Sequence, residues 1–283
     1  MKLAVSIVSP PGYLHSEAFR EVGETIHLAL SALGQDSLLT TELSLPGRRH
    51  IVLGSNLLPA LRVRPAPGSI LYNLEQVQAG SSWMRPELLE LFRQYPVWDY
   101  SARNVDRWVE MGVPRPRCVP IGTVPEMTRI PSRPEEIDVL FYGSINERRK
   151  KIIDALRARG VRAEAVFGAY GAARDQLISV SRLILNLHYY EAKVFEIVRV
   201  SYLLANRRAV VSERGADPEE EAEFEPGVAF ANYGELVDRC VDLLARADER
   251  ARLADEGHAI MSRRSAPAYL RDASSALAPI DER

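Results

Sequence analysis

The feature that most limits how this chain can fold is an alternation of short apolar runs with longer amphipathic stretches, carried through twice. Apolar runs at 3–8, 38–42, 50–53, 69–72, 96–100 and 117–121 have the length of strands, and stretches at 17–33, 86–92 and 105–111 have helical spacing. In the first helix, Ala18, Val22, Ile26, Leu28 and Leu30 form the expected inner face. Strands separated by helices need crossover connections, which predicts a parallel sheet. From 123 to 136 the pattern stops: Pro125, Pro131 and Pro134 stand in a stretch without apolar periodicity, as in a linker. It then restarts, with strands expected at 137–142, 163–167, 182–187, 209–212 and 228–230. Helices are expected at 148–159, 172–180, 191–205, 233–245 and 249–261. The expected fold is α/β, with two facing Rossmann-like domains at 1–125 and 137–264, each a parallel sheet flanked by helices. Residues 126–136 link them, and a last helix within 265–283 crosses back to the first domain.

Bulk properties exclude several classes. A net charge of −2 argues against nucleic acid as the main partner, though a local basic pocket for one small anion remains compatible with it. Cys118 and Cys240 lie in different halves and form no C-x-x-C unit, which fits a reducing compartment and neither a disulfide scaffold nor a zinc site. No run approaches the roughly 20 apolar residues of a membrane span. The opening Met1-Lys2-Leu3-Ala4-Val5-Ser6-Ile7-Val8 reads as a strand and not as a signal peptide, so the cytoplasm is the expected location.

In open parallel sheets, ligands sit beyond the carboxyl ends of the strands. Three segments that leave strands carry chemistry. The first is Asn186-Leu187-His188-Tyr189-Tyr190-Glu191-Ala192-Lys193-Val194-Phe195-Glu196-Ile197-Val198-Arg199. It opens a helix, whose free N–H groups suit an anion. Lys193, Glu196 and Arg199 interrupt an otherwise apolar helix, a costly placement unless the charges are paired or used. Their i,i+3 spacing also lets them pair with one another, and His188 also reads as an internally satisfied strand-end histidine.

The second segment is Gly143-Ser144-Ile145-Asn146-Glu147-Arg148-Arg149-Lys150-Lys151. Gly143 permits a tight turn and close approach of backbone to ligand. Four cations at a helix start oppose its dipole, and a bound pyrophosphate would relieve that. The alternative is a solvated charged face. The spacing is not that of a P-loop. The third segment, Ser9-Pro10-Pro11-Gly12-Tyr13-Leu14-His15-Ser16-Glu17, offers room for a phosphate at Gly12 and a general base at His15, whose side chain titrates near neutrality. Its alternative is helix capping by Ser16 and its neighbours. Glu75 and Gln76, Ser101 and Asn104, and the Phe167-Gly168-Ala169-Tyr170-Gly171 turn also follow strands. No H-x-x-x-H, H-E-x-x-H or D-x-D pattern indicates a metal.

Over residues 137–257 the sequence resembles the nucleotide-sugar-binding half of GT-B glycosyltransferases, in particular the retaining, family-4-like enzymes. Phe195-Glu196-Ile197-Val198-Arg199 stands where those enzymes carry a glutamate in a helix, and Arg208-Ala209-Val210-Val211-Ser212 matches the strand that follows. The resemblance implies that Glu196 accepts hydrogen bonds from ribose hydroxyls. Seven intervening residues before it the family has a second glutamate; here that position is His188, and Glu191 falls three residues later. One of these two is therefore expected to take its place at the donor sugar or phosphate. Gly143 and Ser144, with Arg148 or Arg149 and Lys150 or Lys151, are the implied diphosphate ligands, and the Phe167 turn is where the base rests. Gly12 and Lys193 complete the expected donor site, and His15, His188 and Glu191 are the candidate catalytic residues.

The resemblance thus implies a metal-independent, hexosyltransferase-type enzyme. Its donor, bound between the two domains, is a nucleoside diphosphate sugar (UDP-, GDP- or dTDP-linked), and its acceptor is a hydroxyl of unread identity. Retention follows if the family pattern holds, and inversion follows if His15 acts as base. The alternatives are a nucleotide-sugar epimerase on the same fold and an inactive nucleotide-sugar-binding protein, the latter favoured by the histidine at 188. Oligomeric state is not readable.

Overall fold

The computed structural model describes residues 2–77, 81, 83–189, 195–216 and 218–275. The chain forms two compact units, one running to Val124 and taking up the segment from Ser265, the other comprising Pro125–Arg264.

The first unit contains β1 (Lys2–Ile7), α1 (Arg20–Ala32), β2 (Asp36–Thr40), β3 (Arg49–Leu53), α2 (Leu58–Leu61), β4 (Ile70–Asn73), α3 (Pro86–Gln94), β5 (Val97–Asp99), α4 (Ala102–Glu110) and β6 (Arg117–Cys118). All strand pairs are parallel, in the order β2-β1-β3-β4-β5-β6. The central strands carry apolar runs without alternation, Ile51–Leu53 in β3 among them, because both faces are covered: every residue of β3 is buried. On α1, Val22, Ile26, Ala29 and Leu30 are buried. Ala18, expected on that face, is exposed, because the chain runs there as a 3₁₀ turn, Leu14–Phe19, before the α-helix begins.

The second unit contains β7 (Ile137–Tyr142), α5 (Glu147–Ala158), β8 (Ala163–Val166), α6 (Gly171–Ser179), β9 (Ser181–Asn186), α7 (Ile197–Ala205), β10 (Val210–Glu213), α8 (Pro218–Ala222), β11 (Ala229–Ala231), α9 (Leu236–Ala245) and α10 (Ala247–Arg263). Its parallel sheet has the order β11-β10-β9-β7-β8. Counted within its own unit, each sheet therefore has its second strand at one edge, then the first, third, fourth and fifth. The direction of winding reverses between the first and third strands, at β1/β3 and at β7/β9. Such reversals leave a crevice at the carboxyl ends of the strands, where ligands of doubly wound folds bind.

The stretch expected to be a linker is held firmly to the second unit. The Asn206 side chain accepts from the N–H groups of Arg129 and Ile130, at 2.7 and 2.8 Å, and donates to the Met127 carbonyl at 2.8 Å. Met127 is buried. The last helix, α11 (Ala266–Ser275), belongs to the first unit and packs on α1. It is tied there by Arg117 to Asp272 at 2.8 Å and by the Ala266 N–H to the Thr123 carbonyl at 3.1 Å. No helix among the described residues is long and apolar enough to cross a membrane.

Most expected elements are present within a residue or two. β6 is shorter than the apolar run at 117–121. α4 begins three residues before the expected start because Ser101 caps it, its side chain accepting from the Asn104 N–H. The short helices α2 and α8 carry no periodic signal long enough to read from sequence.

Candidate functional site

At the winding reversal of the second unit, β7 ends in Tyr142 and the chain turns at Gly143, whose φ is +137°. That conformation is open to glycine and strained for other residues. A Cβ there would lie 3.4 Å from Nη2 of Arg199 and 3.8 Å from Nη1 of Arg149, so two guanidinium groups flank the turn.

Asn146 then caps α5, its side chain accepting from the Arg149 N–H at 2.9 Å. The cap fixes the helix phase and decides which cations face inward. Arg149, the third helical residue, is 2% exposed. It donates to the Ser144 carbonyl at 2.8 Å and to the Leu187 carbonyl, and its Nη2 lies 3.5 Å from Oε1 of Glu196. It therefore joins the segment after β7 to the segment after β9. Burial pulls its guanidinium down to about 10, with Glu196 opposing that shift.

Arg148 forms a two-pronged ion pair with Glu213, whose side chain is fully buried at the end of β10. It also donates to the His188 carbonyl at 3.2 Å and stacks 4.1 Å from the centre of the Tyr233 ring. Lys150 points outward and pairs with Asp154 at 2.6 Å, both side chains about half exposed. Arg148 and Arg149 are thus offset by internal partners, and Glu147 in the first turn adds an acidic group that suits the dipole.

Glu196 stands at the N-cap position of α7 and not within the helix as the sequence suggested, with φ −83° and ψ 56°. A carboxylate at a helix N-terminus is favoured by the dipole. Its Oε2 pairs with Arg199 at 2.9 Å and its Oε1 faces Arg149, so one carboxylate is shared by two guanidiniums. Arg199 Nη1 also reaches Oδ1 of the buried Asn186 at 3.3 Å. Arg149, Arg199 and Glu196 together carry one net positive charge beside Gly143, which suits an anion.

His188 is 1% exposed. Its N–H donates to Glu213 Oε2 at 3.2 Å and its Nε2 lies 3.0 Å from the Glu213 carbonyl oxygen. Burial lowers its pKa, against the pull of Glu196 and Glu213. Glu191 and Lys193 lie outside the described residues. Sequence reasoning passed over Glu213, which anchors both Arg148 and His188; a carboxylate closing the strand that Val210 and Val211 begin was the available signal.

Gly12 and His15 belong to the first unit, after β1. Gly12 has φ +73° and open space where a Cβ would sit. His15 lies in the 3₁₀ turn, its ring packed edge-on to Tyr13 at 5.0 Å. Glu75 follows β4, and the Asn56 amide, after β3, is 3.4 Å from its carboxylate. The proximity of Glu75 adds to desolvation in raising the pKa of Tyr13.

The Glu75 backbone is pinned from below. Its carbonyl accepts from the side chains of Asn73 and Asn104, at 2.8 and 3.1 Å. Both asparagines donate to Asp99, which is fully buried and also accepts from the Ser101 N–H and the Trp108 indole. Four donors do not offset the loss of solvent, and burial pushes the Asp99 carboxyl up to about 6.

No protein-family model matches the chain. Among curated proteins it is similar to uncharacterized proteins of Acanthamoeba polyphaga mimivirus. One is 34% identical over 119 residues, covering 41% of this chain and 14% of that protein. Another is 24% identical over 193 residues, covering 63% of this chain and 60% of that protein. The chain thus spans only part of the curated relatives it matches. Among solved structures, Anabaena HepE in complex with UDP and glucose superposes with a TM-score of 0.65 at 10% identity, over 98% of this chain and 100% of that one. Sucrose-phosphate synthase from Thermosynechococcus elongatus gives 0.59 at 12% identity, over 98% and 99%. WaaG, a glycosyltransferase involved in lipopolysaccharide biosynthesis, gives 0.60 at 12% identity, over 98% and 100%. With its two all-parallel sheets flanked by helices, the chain has the GT-B fold.

Proposed function

We propose that this GT-B chain is a glycosyltransferase that moves a sugar from a nucleoside diphosphate donor to an acceptor hydroxyl. One observation carries the reading: Gly143, Arg149, Arg199 and Glu196 converge at the winding reversal of the second sheet, next to two helix N-termini. That arrangement supplies what a nucleotide sugar needs. A glycine turn admits the diphosphate closely, and two arginines offset the charge that grows on it as the sugar leaves, so that no metal ion is required. Glu196 is partly exposed and can exchange one arginine contact for the ribose hydroxyls. Phe167, at the end of β8, is 57% exposed and offers a ring face to the base.

Of the four cations of the sequence motif, Arg149 is the one assigned to the diphosphate. Arg148 braces the turn through Glu213, and Lys150 takes no part. On the first unit, Tyr13, His15, Asn56 and Glu75 are assigned to the acceptor, with His15 or Glu75 as the group that takes its proton. The UDP complex of HepE, a protein of the same fold, supports UDP as the first donor nucleotide to test.

Calorimetric titration with UDP, GDP and dTDP tests the reading. Binding of at least one is expected in the micromolar range. No heat from any of the three at millimolar concentration overturns it.

A further inference from the structure

Tyr142 closes β7 one residue before the Gly143 turn, and two guanidinium groups stand over its ring. Arg199 lies 5.7 Å from the ring centre, and Arg174, from α6, lies 5.9 Å from it. Arg199 is one of the two arginines that face the proposed diphosphate, and Arg174 lies outside that assignment. Arg174 is 5% exposed, and a second ring, that of Tyr202 in α7, has its centre 4.8 Å from the Arg174 guanidinium. One buried cation thus spans two tyrosine rings, one at the end of β7 and one on α7.

The place of Arg174 is fixed from behind. Oδ1 of its neighbour Asp175 accepts from it at 2.7 Å, and Oδ2 accepts from the Tyr202 hydroxyl at 2.8 Å. That hydroxyl accepts in turn from Nε of Arg129 at 3.0 Å. Burial, with Asp175 adding to it, pushes the Tyr202 pKa upward, so the hydroxyl keeps the proton it gives to Asp175. A buried ion pair adds little stability by itself, and apolar side chains of similar volume often replace one without loss. What a guanidinium adds here is a flat face on which an aromatic ring can rest.

We infer that Arg174 is a positioning residue for the diphosphate: it fixes the Tyr142 ring against which Arg199 rests, and so holds the Arg199 guanidinium beside the Gly143 turn. Arg199 needs that support. Its side chain is 27% exposed, and its charged partner is Glu196, at 2.9 Å, the carboxylate assigned to the ribose. When Glu196 turns to the ribose, the Asn186 contact at 3.3 Å and the Tyr142 ring are what keep Arg199 in place. The charge of Arg174 is met by Asp175, which leaves Arg149 and Arg199 as the cations an anion encounters. Asp175 and Tyr202 act one step further back, by fixing Arg174.

This inference rests on the nucleotide-sugar reading, and the test separates the two. Calorimetry on the full chain with UDP, GDP and dTDP first selects the nucleotide that the native protein binds most tightly. Its affinity is then measured for Arg174→Met, Arg199→Met and the double variant, with the melting temperature of each. The expected result is that Arg174→Met weakens the nucleotide about 5- to 20-fold when Arg199 is present and less than about twofold in the Arg199→Met background, because effects that run through one shared residue do not add. If Arg174→Met does not fold, the same cycle on Tyr202→Phe decides; it keeps the ring, removes the hydroxyl that fixes Asp175, and should give a loss of about 2- to 5-fold that again disappears without Arg199. Unchanged affinity, whatever the melting temperature, makes Arg174 a residue of the fold alone and overturns the inference. Equal weakening with and without Arg199 overturns it too. Absence of all binding to the native protein overturns the nucleotide-sugar reading itself and this inference with it.

Discussion

Arg149 and Glu196 leave the second sheet on opposite sides of its winding reversal, yet Nη2 of one lies 3.5 Å from Oε1 of the other. The contact joins a buried cation to a carboxylate that a second arginine, Arg199, also holds at 2.9 Å. A buried guanidinium is expensive to keep without partners. Here it is retained where two strand ends, a glycine turn and two helix starts meet, which is the place a GT-B fold offers to an anionic ligand.

Asp99 should prove a stability residue with an effect on the Glu75 loop. Its two carboxylate oxygens accept from four donors, two at each oxygen. Asp99→Asn puts an NH₂ group against two of them, whichever way the amide turns. Chemical denaturation should show a loss of roughly 2–4 kcal/mol, since each buried donor left unpaired costs about 1–3 kcal/mol. A loss below about 0.5 kcal/mol would contradict the four-donor account.

His50 should make the protein sensitive to mild acid. It is fully buried, its Nε2 accepts from the Leu45 N–H at 2.8 Å and its Nδ1 lies 2.7 Å from Ser6 Oγ. Burial lowers its pKa in the folded chain. The unfolded chain therefore takes up a proton at a higher pH than the folded chain does. The contribution is fully present above about pH 6.5 and is lost as pH falls below it, with a slope of at most about 1.4 kcal/mol per pH unit. His188 acts in the same direction. Asp99 acts oppositely between about pH 4 and 6, because its folded carboxyl is raised to about 6 and binds a proton the unfolded chain releases. His50→Gln keeps an acceptor for Leu45 and should flatten the fall in stability between pH 7 and 5. An unchanged slope would remove His50 from the account.

Gly227→Ala should destabilise the second unit without touching the ligand. A Cβ at 227 would lie 2.4 Å from the Cα and N of Gly257 in α10, backbone atoms that cannot yield. Overpacking of this kind costs roughly 1–3 kcal/mol or more. The melting temperature should fall, and nucleotide affinity of the folded protein should stay within twofold. An unchanged melting temperature would mean that α10 can shift.

The sheets were legible because parallel strands buried on both faces carry uninterrupted apolar runs, as Leu3–Val5 in β1, Ile51–Leu53 in β3 and Leu183–Leu185 in β9 do. Gly143 was legible as a turn after such a strand, and His188 as a polar residue just past the end of another. The inward cation was not, because Arg148, Arg149, Lys150 and Lys151 occupy one helical turn and only the Asn146 cap sets which of them points in. Glu196 was read inside a helix that begins one residue later, an ordinary boundary error. The Asp99 network was out of reach, since its donors come from β4 and from the cap, first turn and last turn of α4, brought together by the fold.

The central claim is that Glu196 holds the ribose of a bound nucleotide, and the affinity of Glu196→Gln for the nucleotide that the native chain binds tests it most directly. Glutamine keeps the shape and one acceptor but gives up the charge. Hydrogen bonds to a charged group contribute roughly 1.5–3 kcal/mol each when fully made. The account predicts a loss of roughly 1–3 kcal/mol, or about 5- to 150-fold in Kd. A lowered melting temperature with unchanged nucleotide affinity would contradict it, and would reduce Glu196 to a bridge between Arg149 and Arg199.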